Sequence, residues 1–296
     1  MKRRWLATGL LAAMVGLLAL SQQAAEGVRQ GLQLCAWSVI PALFPFFVLS
    51  SLHTEILTGT GGHLLRLPGR LLGYSSTGIR IFFLSLLGGY PVGPRLIGQL
   101  CRAGRLSREE ATQLLAFCNN AGPAFILGLV GLGQFGSLHA GVALYLIHAA
   151  AAALTALRFR AVPAFPDRAV SAMPAKPLAS ALVSSIADAG TAMVQICSFV
   201  TFFNAILWLP PCRILLAHPL LLGAVELTQG IVRLPNTLGG FVMASVLLAW
   251  GGLSVHCQTA AVLAQTDISL GQYFKGKLCQ TVFSAGLALL VGALLQ

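Results

Sequence analysis

Along this chain the apolar residues come in long blocks, and few polar positions separate them. Several blocks run for 17 or more residues, enough to cross a hydrocarbon core about 30 Å thick. The pattern predicts an all-α polytopic membrane protein. Residues 1–30 form an N-terminal transmembrane helix, with a basic start and an apolar centre. Small residues near Ala24 and Ala25 would also fit a cleavable signal. A second apolar segment follows almost at once, so the first span is expected to be retained with its N-terminus in the cytoplasm. Gly31–Leu52 is the next span, kinked by Pro41 and Pro45, and residues 53–78 look interfacial.

Residues 79–102 break the pattern. IRIFFLSLL is apolar but nine residues long, about 14 Å as a helix, or half a bilayer. It stops at GGYPVGP, which no regular helix or strand runs through, and RLIGQLCR leads back to Arg102, Arg105 and Arg108. Two short arms around a Gly/Pro tip predict a re-entrant hairpin. Ser107 and Glu110 then form a capping box that opens a helix over 107–133, interrupted by CNNAGP. Residues 138–157 are a plain span that completes a first repeat, 31–157, and 158–177 form a basic, proline-rich cytoplasmic linker.

A second repeat is expected over 178–296: a long span to Leu209, a segment 213–237 that could span, half-span or lie flat, a second hairpin 238–266 with its tip at GGLSVHCQ, and a final helix. Laying residues 88–105 on 251–268 pairs Gly88 with Gly251 and Gly89 with Gly252. The expected architecture is therefore an inverted repeat with two re-entrant helical hairpins and discontinuous helices. With the N-terminus inside and the hairpins entering from opposite sides, thirteen Lys/Arg are cytoplasmic. Five (Arg29, Arg213, Arg233, Lys275, Lys277) lie outside, and Arg95 stays within the membrane, in accord with the positive-inside rule.

Composition narrows the function. Of 296 residues 56% are hydrophobic and only 9% charged, with mean hydropathy +0.81, which excludes an ordinary soluble enzyme. The net charge of +11 is explained by topology-setting arginines, and nucleic acid is not expected as a partner. Seven cysteines show no CxxC, six histidines show no HExxH, and there is no GxSxG or P-loop. No metal, catalytic residue or enzymatic activity is expected.

Broken segments near the midplane are the physical signature of a secondary transporter. Unwound backbone exposes helix N-termini, which favour anions, and free carbonyls, which favour cations. The candidate substrate-binding residues are therefore those at the breaks: Gly88, Gly89, Pro91, Gly93 and Arg95 at the first tip; Asn119 and Asn120; Glu226, Thr228 and Gln229 in VELTQG; and His256 and Gln258 in the second half. A charge at the depth of Arg95 needs a partner, which could be a bound anion, Glu226 or lipid headgroups. Glu226 could carry a proton or Na⁺, or pair with an arginine. Beyond such a coupling ion no cofactor is implied.

WSVIPALFPFFVLSSL, GGYPVGPRLIGQLCRAGRLSREEATQLLAFCNNAGPAFILG and VELTQG together resemble the YlbJ/SpoVV sporulation integral membrane proteins. These belong to the nucleoside-recognition (Gate) domain group, which is distantly similar to concentrative nucleoside transporters. The resemblance covers roughly residues 5–295 and implies a multi-pass bacterial cell-membrane protein, in the outer forespore membrane if the host sporulates. It implies transport of dipicolinic acid, with Pro41, Pro45, Gly88, Gly89, Pro91, Gly93, Asn119, Asn120, Gly122, Pro123, Glu226, Thr228 and Gly230 at the family's patterned positions. Dipicolinate is a planar dianion that Arg95 and the Asn amides would suit. The alternatives are H⁺- or Na⁺-coupled nucleoside or nucleobase transport, and a non-transporting sporulation scaffold. Expected partners are the transported anion, the bilayer, and a second copy or other sporulation membrane proteins.

Overall fold

The computed structural model describes residues 2–56, 63–161, 165 and 177–294. Within them the chain is helical, and no strand occurs among the described residues. α1 (Lys2–Ala19) meets α2 (Ser21–Leu34) at a bend of 89°, so the N-terminal unit expected over 1–30 divides at Leu20. α2 instead continues through a π-helical turn, Cys35–Val39, into α3 (Ile40–Ile56). The π turn has a local cause. Pro41 carries no N–H for a helical bond, and the chain widens so that the Ile40 N–H reaches back to the Cys35 carbonyl.

α2 and α3 pack along α9 (Leu178–Leu207), 30 residues long and about 45 Å from end to end. Gly27 and Gly31 let the backbones touch: a Cβ on Gly27 would lie 2.6 Å from the Asn204 carbonyl, and one on Gly31 2.8 Å from the Thr201 Cα. Small residues at such crossings are what apolar solvent demands, because close backbone approach is the main source of attraction there. α2, α3 and α9 form one body.

The hairpins, the broken helices and the long helices Leu138–Arg158 and Gly271–Leu294 form the other, while α1 contacts α2 and the short helix Pro210–Leu215 contacts α9. After α4 (His63–Leu72), the first hairpin is α5 (Ser76–Gly88) and α6 (Val92–Arg102), closed by Gly89–Pro91. α7 (Arg108–Leu114) starts on the Ser107 cap, whose hydroxyl accepts the Glu110 N–H at 3.1 Å. The Glu110 carboxylate turns away to accept the Ser75 N–H at 2.8 Å, tying α7 to the start of α5. Helix is then lost until a π-helix over Ala124–Gln134, and α8 (Leu138–Arg158) follows. Much of the predicted linker, 162–164 and 166–176 with Arg168 and Lys176, lies outside the described residues.

The second half departs from expectation in one instructive way. Leu238–Leu263, expected as a hairpin, runs on as one apolar helix of 26 residues, divided at Gly251 into α13 (Leu238–Trp250) and α14 (Gly252–Leu263). Two adjacent glycines with φ of +92° and +79° interrupt the hydrogen bonding there, but no proline blocks resumption after one residue. The hairpin lies earlier, inside 213–237. After α10 (Pro210–Leu215), α11 (Pro219–Val225) and α12 (Leu227–Ile231) fold back on each other around Glu226. Gly223 and Gly230 meet back to back, so that a Cβ on Gly230 would fall 2.2 Å from the Gly223 Cα.

α15 (Gly271–Leu294) closes the chain, packed on α13 and α8. Both halves therefore follow one order: long helix, short helix, hairpin, broken helix, long helix. This order pairs the Gly89–Pro91 tip with Glu226, and the break at 118–123 with Gly251. The pairing of Gly88 with Gly251 set helix break against hairpin tip and is corrected accordingly. Among the described residues four helices can cross a membrane by length and composition, or five if the bent pair at Leu20 counts as one span. The protein is a multi-pass membrane protein.

Candidate functional site

Both hairpin tips and both broken helices converge on one cavity between the two bodies. It is lined by Val39, Leu43, Ile196 and Val200 from the α2–α3–α9 body. Opposite stand Tyr90 of the first tip, Gly122 and Phe125 of the first break, Glu226, Leu227 and Thr228 of the second tip, and Ser254, Val255 and Gln258 of α14. Its volume is about 50 Å³, room for a few waters at roughly 10–15 Å³ of accessible volume each and too little for an organic solute. Glu226 is 1% exposed, and its carboxylate accepts the Gln229 N–H at 2.8 Å as the N-cap of α12. The Ser254 hydroxyl is buried in the lining without a partner, a polar group free to meet whatever fills the space.

The first hairpin is seated by its glycines. Gly89, at φ +82°, lies against Gly122, with 3.0 Å between its Cβ position and the Gly122 nitrogen. A Cβ on Gly93 would fall 1.6 Å from the Cys118 carbonyl, so α6 rests directly on unwound backbone. Pro91 closes the tip, and Tyr90 reaches across to donate its hydroxyl to the Leu248 carbonyl of α13.

Behind the cavity lies a polar network. The Asn120 amide donates to the Ser85 hydroxyl at 2.9 Å and to the Phe117 carbonyl at 2.8 Å, while its Oδ1 accepts from Gln280 at 2.9 Å. The Asn119 amide donates at 3.0 Å to both the Thr259 and Tyr273 hydroxyls. His256 Nδ1 lies 2.6 Å from the same Tyr273 hydroxyl. At the centre is Lys277, 0% exposed, whose Nζ donates to the Asn119 backbone carbonyl at 2.9 Å and to Gln280 Oε1 at 3.0 Å. Lys277 had been counted among the outer-face charges; it belongs to the core, and Lys275 beside it is exposed.

The candidates thus separate. Gly88, Gly89, Pro91 and Gly93 shape the first tip; Glu226, Thr228 and Gln258 line the cavity; Asn119, Asn120 and His256 hold the wall behind it. Gln229 contributes a backbone N–H. Arg95 is not with them. It lies a turn along α6 in a second cavity of about 220 Å³, lined also by Phe47, Ser51, Glu55, Gln99 and Asp188. There it pairs with Asp188 of α9 at 3.5 Å and donates to the Asp188 carbonyl at 3.1 Å.

Tyr90, Ser254 and Gln280 are not among the residues the sequence singles out, and Lys277 figures there only as an outside charge. A signal existed: Tyr273, Lys277, Gln280 and Ser284 recur at spacings of four, three and four along an apolar helix, which stacks them on one face.

The chain is similar to the sporulation integral membrane protein YlbJ of Bacillus subtilis (strain 168), with 26% identity across 91% of this chain and 78% of that protein. This supports assigning the chain to the YlbJ family. No family model matches, and no solved structure matches.

Proposed function

We propose, from the assignment to the YlbJ family, that this protein is a secondary transporter of the spore-forming cell's membranes that carries a small organic anion, dipicolinate first. The observation that carries the reading is the central cavity, where two hairpin tips and two helix breaks meet between two helical bodies. Irregular backbone persists at membrane depth only where it is buried or lines a solute path. The repeated element order and the distribution of Lys/Arg support an inverted arrangement with the N-terminus in the cytoplasm. In this reading the hairpins and broken helices move against α2, α3 and α9. Solute passes from the Arg95 cavity to the central one, and Arg95 is the cationic anchor at the entrance.

One observation favours a second reading, a nucleoside or nucleobase. Lys and Arg are missing from the central lining, which offers Glu226, Thr228, Ser254 and Gln258, groups suited to ribose hydroxyls and base edges. The deciding experiment is uptake of labelled dipicolinate and of labelled uridine into liposomes holding the purified protein, with Arg95→Ala in parallel. Dipicolinate flux that falls at least roughly tenfold in the variant, the loss of one charge-assisted contact, supports the anion reading. Uridine flux that survives the substitution supports the second. If folded protein carries neither, transport is abandoned in favour of a scaffold.

A further inference from the structure

Lys277 is chemically out of place. It is fully buried, yet among the described residues its ammonium is bonded only to neutral oxygens, the Asn119 carbonyl at 2.9 Å and Gln280 Oε1 at 3.0 Å. The Tyr90 ring closes a third side, its centroid 5.6 Å from Nζ. A buried charge without a carboxylate is costly, and one built into the site is expected to do something that a neutral residue could not. The identity of its acceptors is informative. The Asn119 carbonyl belongs to the unwound stretch between α7 and the π-helix, where no helical N–H comes to it. Free carbonyls of unwound helices, together with side-chain amide oxygens, are the groups that hold the coupling Na⁺ in secondary transporters.

We infer that Lys277 is a tethered cation, its ammonium occupying the place at the first helix break that a coupling Na⁺ would otherwise take. The positive charge reaches the break from α15 instead of from solution, and Tyr90 stacks over it at the tip of the first hairpin. The ring is thus shared between the cation and the central cavity, because the same Tyr90 lines that cavity. The break is held together by a group of the chain itself, so assembly of this site needs no monovalent metal ion. The consequence that transport is independent of Na⁺ rests on the transporter reading above; the substitution of lysine for a metal ion does not.

The test uses thermal unfolding of the full-length protein in detergent, which needs no substrate and so stands apart from the flux experiment. Wild type is measured in choline, K⁺, Na⁺ and Li⁺ chlorides at constant ionic strength, beside Lys277→Ala and Lys277→Gln. The wild-type midpoint should be the same in all four salts. Each variant should melt lower in choline and regain stability in one alkali-metal salt, rising with the logarithm of its concentration as mass action requires. Choline, too large for the vacated space, should not rescue. A structural lysine would lose stability on substitution alike in every salt, and that result overturns the inference. So does an alkali-metal-specific rise in the wild type, which is measurable without either variant. If the inference holds while liposomes show no flux, the cation is tethered in a protein that does not transport.

Discussion

The pair Arg95–Asp188 is where a single residue is most open to test. Its side chains are 22% and 44% exposed, and ion pairs this wet contribute about 0.2–1 kcal/mol. Asp188 therefore costs little to remove, but it competes with any anion for the guanidinium. Asp188→Asn should leave the melting temperature nearly unchanged and lower the KM for dipicolinate, the opposite of Arg95→Ala; flux measured across a concentration series separates the two. An unchanged KM would mean that Arg95 holds α6 to α9 and does not meet the solute. The polar groups behind the cavity belong to a different class. Asn120 satisfies Ser85, Phe117 and Gln280 at once, and leaving such groups unpaired costs roughly 1–3 kcal/mol each when no water can replace the partner. Its pair of asparagines was conspicuous in the sequence because amides are rare in apolar runs. Lys277 was not, because a lysine near the start of a helix is commonly a surface anchor, and only the tertiary contact separates it from exposed Lys275 two positions away.

At the scale of elements, glycine marks where backbones touch. Alanine at Gly93 would collide with the Cys118 carbonyl, and alanine at Gly230 with the Gly223 backbone. In both places the neighbour is main chain and cannot rotate away. Gly93→Ala and Gly230→Ala should each lower the yield of folded protein or the melting temperature sharply. Gly190→Ala, with nothing within 4 Å of its Cβ, should be neutral or slightly stabilising, since alanine favours helix over glycine by about 1 kcal/mol. Size-exclusion profiles and melting curves of the three variants check this. The same contrast explains which hairpin was legible. GGYPVGP carries two prolines and three glycines, so no helix crosses it and the turn is written into the covalent chemistry. The second tip turns on Glu226, in extended backbone at φ −131° and ψ 109°, a conformation open to any residue. Nothing in VELTQG forbids helix; the tertiary fit of Gly223 against Gly230 makes the fold-back. Gly251–Gly252 carried the stronger local signal and yields only an interrupted helix, because the α13–α14 run stays apolar and finds packing on both sides of the break.

For the whole molecule the decisive feature is a seam. From the end of the π turn along α3, Val39, Leu43, Phe47, Ser51 and Glu55 recur every fourth residue. The first two line the central cavity and the last three the Arg95 cavity; α9 supplies Asp188 to one and Ile196 and Val200 to the other. The cavities are thus strung along one face of one body, where the hairpin-bearing body lies against it. In the proposed transporter reading the space at this seam is too small for solute, so alternating access would require the seam to shift. This is testable without knowing the substrate's resting place. With the native cysteines replaced, Ser51→Cys on α3 and Gln99→Cys on α6 put one thiol on each side of the Arg95 cavity. A short bifunctional methanethiosulfonate should join them, abolish flux in liposomes, and release it again when dithiothreitol cleaves the bridge. Two cysteines on the same body, at Ser245 and Ser284, whose side chains meet at 2.8 Å, serve as the control: joining them should leave flux in place. Full flux through protein bridged across the seam would show that the two bodies do not move relative to each other during transport. The cavities would then be packing defects of a rigid bundle.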